Sequence, residues 1–369
     1  TIQHLQFLTA PVAVVMVEAK DRSRSPVRNG GALEKPLTVE ALNENSHFGA
    51  LVTSKISARR ILTSAADQKF LYRTWQEHGG LLVLRGLEEL TAGEMVSISA
   101  LFGEVEDELD ESKQKFAVEG ERRVMRIGNT TDPVTKEITA LNASDPPLPP
   151  GGSSQYRPAD RKPAWHTDSV YRKDAPIGSL LYCRQTPPEG GATCFADTVF
   201  ALSALPPEQQ AKLKRLECLC SQAHHDAKNH KTSPDFPILT MEQRIASPAQ
   251  RVPMVLEHPL SKRLSLYGMN GGTCRVLPKE VKVSDEELDR YELEAIEHES
   301  VQEEWRSLLP FVTEPRFTVK WEWKVGDLVL WDNRCTMHCA TGFDRQKHVR
   351  EMWRTTLTHD RPDAAKWLA

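Results

Sequence analysis

The stretch Gly326-Asp327-Leu328-Val329-Leu330-Trp331-Asp332-Asn333-Arg334, running on to His338, carries the reading of this chain. Leu328 to Trp331 is a continuous apolar run followed by polar residues, the pattern of a buried strand and turn. His338 stands just beyond it. Far upstream lies a second short stretch, Trp165-His166-Thr167-Asp168. Residues i and i+2 of an extended segment share a face, so His166 and Asp168 can reach one ion from a rigid support. With His338 as the remote third donor they make a two-histidine, one-carboxylate facial set, which leaves metal positions open.

A His-x-Asp pair is not specific by itself. The chain has 12 histidines and contains a second such pair, His224 and Asp226. Context separates the two. His224-His225-Asp226 lies in a run of Ala, Lys, Asn and His that reads as an exposed loop, whereas Trp165 to Tyr171 is strand-like. Likewise, His338 alone is more often a satisfied core histidine than a ligand. Its value rises with Arg350 and Arg354, set among Met352, Trp353 and Leu357. Positions 350, 352 and 354 share one strand face. A buried guanidinium needs an anion or several hydrogen bonds, and two on one face suggest a pocket for carboxylates. The bland alternative gives each arginine a local Asp or Glu partner. Cys335, His338 and Cys339 also admit a zinc reading, but no second Cys/His cluster completes a four-ligand site.

Around these stretches the chain reads as scaffold. Ser64 to Asp67 opens a helix through about His78, and Gly79-Gly80 stops it before the apolar run Leu81 to Leu84. Thr91 and Glu94 form a capping box for a helix ending near Phe102-Gly103. Asp145 to Pro163, rich in Pro, Gly and Ser, is an irregular loop and a lid candidate beside His166. Leu180 to Gln185, Thr193 to Ala196, Arg263 to Tyr267, Phe317 to Trp323 and Glu351 to Thr358 read as strands. Leu202 to Cys218 and an acidic stretch from Ser284 towards Leu309 read as helices, and Ser221 to Pro237 as polar and irregular. Many short strands with a few helices suggest a mainly β core with helices packed outside.

Composition bounds the partners. The chain has 369 residues, 39% of them hydrophobic, and a formal net charge of −4 with both signs interspersed. That is a poor match to nucleic acid or an anionic membrane. The apolar run Pro11 to Val17 is far short of the ~20 residues that a membrane span needs. Seven cysteines in so large a chain argue for reduced thiols, hence a cytoplasmic setting rather than a disulfide scaffold. No dinucleotide fingerprint is present.

The spacing His166-x-Asp168, His338, Arg350 and Arg354 resembles the taurine dioxygenase and 2,4-dichlorophenoxyacetate dioxygenase (TauD/TfdA) family. Further matching stretches are His78 to Gly86 (HGGLLVLRG), Leu101 to Glu104, Pro188 to Thr193 and Gly326 to Arg334. The resemblance covers about residue 45 to 360. It implies a double-stranded β-helix, or jelly-roll, core and an iron(II)- and 2-oxoglutarate-dependent oxygenase that uses O2. His166, Asp168 and His338 match the iron ligands. Thr193 and Arg350 match the residues holding the distal carboxylate of 2-oxoglutarate. Arg354 matches the arginine near the substrate's acidic group and, in some members, the cosubstrate. Trp331 and Asn333 belong to the turn before the last ligand. The implied substrate is a small molecule bearing a carboxylate, sulfonate or similar anion. Residues 1–40 read as an arm or linker and 41–369 as one dioxygenase domain, with an inserted loop near 131–163. The sequence leaves a homo-oligomer open. The competing readings are a zinc hydrolase using the same ligands and a non-catalytic jelly-roll binding protein.

Overall fold

Leu328–Asp332 forms the strand that its apolar run predicts, sandwiched antiparallel between Leu81–Leu84 and Gly178–Gln185. The computed structural model describes residues 36–43, 48–107, 109, 111–141, 165–232, 236–297 and 303–368. Pro11 to Val17, the linker reading of Asp21 to Pro36 except its last residue, and the loop beyond Leu141 lie outside these. The part of that loop that is described, Thr131 to Leu141, makes a turn closed by a Thr131–Ile138 bridge.

These three strands are the centre of a nine-stranded sheet. Its order is Val39–Asn43, Phe48–Val52, Leu81–Leu84, Leu328–Asp332, Gly178–Gln185, Glu351–Asp360, Glu121–Gly128 and Ala117–Val118, with Gly103–Val105 beside Glu351–Asp360. A three-stranded sheet holds Thr318–Trp321, Thr193–Asp197 and Thr336–Ala340 in that order. Alternation explains why the central strands are apolar at every position. Leu81, Val83, Val329 and Trp331 share a core with Phe195, Val319 and Trp321 of the smaller sheet. Leu82, Leu84, Leu328 and Leu330 point the other way, into a core with Leu71, Trp75, Met95 and Ile98 of the outer helices. A strand covered on both faces has no polar side to show. Truncating one such leucine to alanine costs about 2–5 kcal/mol.

The helix ends follow from side-chain caps. Ser64 accepts from Asp67 N at the start of Ala65–Glu77, and Thr91 and Glu94 cap Ala92–Ser99 reciprocally. Gly80 does more than stop a helix. Its φ is +76°, and a Cβ there would lie 2.7 Å from both Asp332 Cβ and Cys335 Sγ. The glycine is what lets the first central strand begin against the turn that leads to His338.

Four expectations are corrected. Leu202 to Cys218 is not one helix: Thr198–Ala204 and Pro207–Leu213 are separate helices, and Leu216–Cys220 is a strand. Asp197 caps the first through Val199 N and Phe200 N, and Pro206-Pro207 starts the second rather than continuing the first. Ser221 to Pro237 is not irregular, since Gln222–Thr232 is helical. The helix capped by Ser284 and Glu287 runs only over Asp285–Glu297, with separate short helices at Glu303–Arg306 and Leu309–Val312. Trp165 to Tyr171 is not a strand: His166 makes one bridge and Asp168 already lies in a turn.

Candidate metal centre

That single bridge sets the site. His166 N donates to His338 O at 3.0 Å, and His338 N donates to His166 O at 2.9 Å. The two histidines are therefore directly opposed, with ring centroids 4.4 Å apart. Beyond His166 the backbone is held twice, by Thr167 N to Met269 O at 2.8 Å and by Asn270 Nδ2 to Thr167 O at 2.6 Å. The turn that follows, with Ser169 at φ +48°, swings Asp168 back under the rings. Asp168 Oδ1 lies 3.4 Å from His166 Nε2 and 3.7 Å from His338 Nε2. One donor atom from each of the three residues lies within 4.8 Å of the other two.

Protonation fits the donor set. Burial pushes the His338 imidazolium down to about 3 despite the opposing pull of Asp168. The ring is thus neutral, with a lone pair to give. Burial by itself would raise the Asp168 carboxyl, but His338, Arg354 and His166 outweigh it and hold the group well below the usual carboxylate range. A neutral imidazole and an ionised carboxylate are the forms that a divalent metal requires. The two oxygens of Asp168 divide the work. Oδ1 faces the histidines, while Oδ2 accepts from Ser179 Oγ at 3.4 Å and lies 3.8 Å from Arg354 Nη1. Trp331 and Phe195 pack against the His338 ring at 4.8 and 6.1 Å.

The two arginines sit differently. Arg350 is 7% exposed, and its Nε donates to Gly191 O at 3.0 Å. Among the described residues no carboxylate pairs with it, and burial pulls its guanidinium down to about 10. A buried cation without an anion is costly, so this pocket is incomplete as it stands. Gly191, at φ +66°, makes the approach possible, because a Cβ there would meet Pro187 Cγ at 2.9 Å and Arg350 Cδ at 3.3 Å. Thr193 lies two residues on and is buried, its hydroxyl accepting from Trp323 Nε1 at 3.0 Å. Arg354, in contrast, sits at the carboxylate of Asp168, and its Nε is buried without a hydrogen-bond partner among the described residues.

The turn before His338 is braced by a network that the sequence did not announce. Asp332 accepts from Arg334 Nε and Nη2 at 2.9 and 2.7 Å and pairs with His258 Nε2 at 3.1 Å. His258 Nδ1 accepts from the backbone of Leu260 and Ser261, which puts its proton on Nε2, towards Asp332. Arg334 continues to Asp360 at 2.7 Å. His258, Asp332 and Cys335 are close enough to hold an ion, but His258 Nδ1 and the Asp332 oxygens already accept hydrogen bonds, and the Cys335 thiol donates to Gly79 O. The zinc reading of Cys335, His338 and Cys339 also fails: Cys335 Sγ contacts Gly79 O, and Cys339 packs with the outer cluster, on the opposite side from His338. Trp331 Nε1 donates to Asn333 Oδ1 at 3.0 Å, and Asn333 Nδ2 to Pro176 O, consistent with a structural part for both. Asn270 and Ser179 were missed for the same reason as His258. Each acts through a contact more than ten residues away, and neither belongs to a local motif.

His224 and Asp226 are placed elsewhere. Both are buried on the helix Gln222–Thr232, contrary to the exposed loop expected. Asp226 pairs instead with His225 Nδ1 at 2.8 Å, and the His225 ring lies 4.6 Å from Tyr171.

Comparison with known proteins places this geometry. The chain is 32% identical over 197 residues to the alpha-ketoglutarate-dependent 2,4-dichlorophenoxyacetate dioxygenase of Cupriavidus pinatubonensis, covering 53% of this chain and 60% of that protein. It is 28% identical over 202 residues to the alpha-ketoglutarate-dependent sulfate ester dioxygenase of Pseudomonas putida, covering 55% and 62%. The matched region thus spans about three fifths of these relatives' length. Among solved structures, AAD-2 in complex with Mn(II) and N-oxalylglycine superposes with a TM-score of 0.61 at 22% identity, over 89% of this chain and 99% of that one. A taurine dioxygenase from Burkholderia xenovorans gives 0.60 at 21%, over 89% and 92%. These likenesses agree with a jelly-roll core wrapped by helices. Residues 38–356 match the family described as taurine catabolism dioxygenase TauD, TfdA family, and the chain belongs to it.

Proposed function

We propose that this chain is an iron(II)- and 2-oxoglutarate-dependent oxygenase that hydroxylates a small anionic substrate. The observation that carries the reading is the convergence of His166, Asp168 and His338, with His338 neutral and Asp168 ionised, together with the buried Arg350, which has no carboxylate partner among the described residues. Iron(II) with 2-oxoglutarate and O2 would supply the oxidation there: one oxygen atom goes to a substrate C–H bond, and the other leaves in succinate as CO2 is released. The protein's part is placement and exclusion. His166, Asp168 and His338 hold the metal on one face. Arg350, with Thr193, receives the far carboxylate of 2-oxoglutarate, which supplies the missing anion. Arg354 offers a cation to the substrate's carboxylate, sulfonate or sulfate group. Trp331 and Phe195 keep water from the His338 side.

Relatives named for phenoxyacetate and sulfate ester substrates support an anionic substrate class. All seven cysteines are free, which supports a reducing, cytoplasmic setting. No helix among the described residues is long and apolar enough to cross a membrane. The reading takes residues 41–369 as one catalytic domain and 1–40 as an arm. The test is succinate formation from 2-oxoglutarate with iron(II) and O2 across a panel of small organic acids and sulfate esters. Turnover that needs iron and 2-oxoglutarate is expected. A folded, iron-loaded protein that never consumes 2-oxoglutarate would overturn it, and hydrolysis with zinc alone would establish the hydrolase instead.

A further inference from the structure

The small sheet carries two thiols on the face turned away from the metal centre. Alternation sends His338 inward against Trp331, while Met337 and Cys339 join the outer cluster with Leu202 and Val312. Cys339 and Cys194 are direct register partners on adjacent antiparallel strands. The bonds Thr198 N to Cys335 O and Thr341 N to Ala192 O mark the hydrogen-bonded pairs of this ladder. Such pairs recur at every second position, and Cys339–Cys194 falls on one. Their α-carbons are therefore ~5.5 Å apart, inside the ~4.4–6.8 Å that a disulfide spans. Each thiol acts on the other: Cys339 holds the Cys194 thiol below its ordinary value, and Cys194 holds Cys339 well above it.

On its other side Cys194 faces Lys320, its register partner on Thr318–Trp321. Cys194 is half-buried, while the six other cysteines are buried. An ammonium neighbour and partial exposure are what make a cysteine reactive. We infer that Cys194 and Cys339 form a peroxide-reactive dithiol, with Cys194 attacking and Cys339 resolving.

The step balances with a hydroperoxide as oxidant. The Cys194 thiolate attacks one peroxide oxygen, the O–O bond breaks, and a sulfenic acid forms as water (or an alcohol) leaves. Cys339 sulfur then attacks the Cys194 sulfur, the S–O bond breaks, and the second water leaves with the thiol proton. Two thiols are oxidised by two electrons, and one peroxide is reduced. Opposed β-carbons in such a ladder are ~4.5–5.5 Å apart, whereas a disulfide holds them at ~3.5–4.5 Å. Closing the bond thus draws together the two strands that carry His338 and Thr193, each the neighbour of one thiol. The oxidised protein loses turnover, and a dithiol reductant restores it.

The test is peptide mapping under non-reducing conditions after hydrogen peroxide and alkylation of the remaining thiols. A cross-linked peptide joining Cys194 and Cys339, lighter by two hydrogens, is expected in the wild type. In Cys339→Ala, dimedone should label Cys194, and in Cys194→Ala the cross-link and the label both vanish. Wild-type succinate formation should fall on oxidation and recover with dithiothreitol, while Cys194→Ala resists. Full alkylation of both thiols after peroxide, or linkage only to other cysteines, would overturn the proposal. Mapping does not depend on turnover, so it stands or falls separately from the oxygenase reading.

Discussion

The chain spells His-x-Asp twice, and the two copies fold into different things. At His166 and Asp168 the backbone is extended at one bridge and then turns, so both side chains reach His338. At His224 and Asp226 the backbone is helical, and at about 100° per residue the two side chains diverge by about 200°. There Asp226 pairs with its immediate neighbour His225. Identical residues at identical spacing converge on a third side chain or part company according to the backbone conformation that carries them. Neither copy behaves as a surface loop, and the second packs behind the first through Tyr171 and His225.

Exchanging the fates of the two copies by mutation tests this directly. His166→Ala should bring iron-dependent succinate formation to the level of iron-free protein. His224→Ala should keep turnover per folded molecule within a few-fold of wild type. Because His224 is buried, it should instead cost about 0.5–3 kcal/mol of stability, read by denaturant unfolding. Loss of turnover in His224→Ala at full folding would assign the metal to His224 and Asp226 instead.

A second break lies at the turn that delivers His338. Asp332 neutralises Arg334 and receives His258 in a fully buried setting. Asp332→Ala leaves that guanidinium with Asp360 alone and should cost about 3–5 kcal/mol. Unfolding free energies would check it, and an unchanged value would mean that the network is idle.

Arg350 sharpens the contrast between a site waiting for an anion and one already satisfied. Arg350→Met should raise the KM for 2-oxoglutarate by roughly 10- to 150-fold, the equivalent of about 1.5–3 kcal/mol for a charge-assisted pair. Stability without cosubstrate should hold or rise, since a buried unpaired cation has been removed. A kcat loss with KM unchanged would place the cosubstrate carboxylate elsewhere.

The smallest effect concerns pH. Burial depresses the His225 imidazolium below its ordinary value, with Asp226 opposing. A depressed folded pKa gives stability that is present above the unfolded value of about 6.5 and is lost as pH falls below it. His225→Gln should flatten the stability profile below that pH, and an unaltered profile would assign the slope to other groups.

The sequence was most legible where local rules and burial agree. Leu81 to Leu84 and Leu328 to Trp331 are apolar at every position because both faces are covered, and caps at Ser64, Thr91 and Ser284 place three helix starts. It was least legible where polar residues are buried by distant partners. Gln222–Thr232 reads as solvated, yet His224 and Asp226 are among the least exposed residues. Spacing alone offered two candidate pairs and only the setting and the family resemblance chose between them, while the geometry of His166 and Asp168 depends on Met269 and Asn270, which hold Thr167 from a hundred residues away.

We propose above all that His166, Asp168 and His338 hold iron with 2-oxoglutarate beside it. Anaerobic titration of the protein with iron(II) and 2-oxoglutarate, followed in the visible range, tests it most directly. A weak charge-transfer band that saturates at one equivalent of iron per chain, persists in His224→Ala and is absent in His166→Ala is the expected result. A well-folded wild type without the band, or a band that survives in His166→Ala, would contradict it.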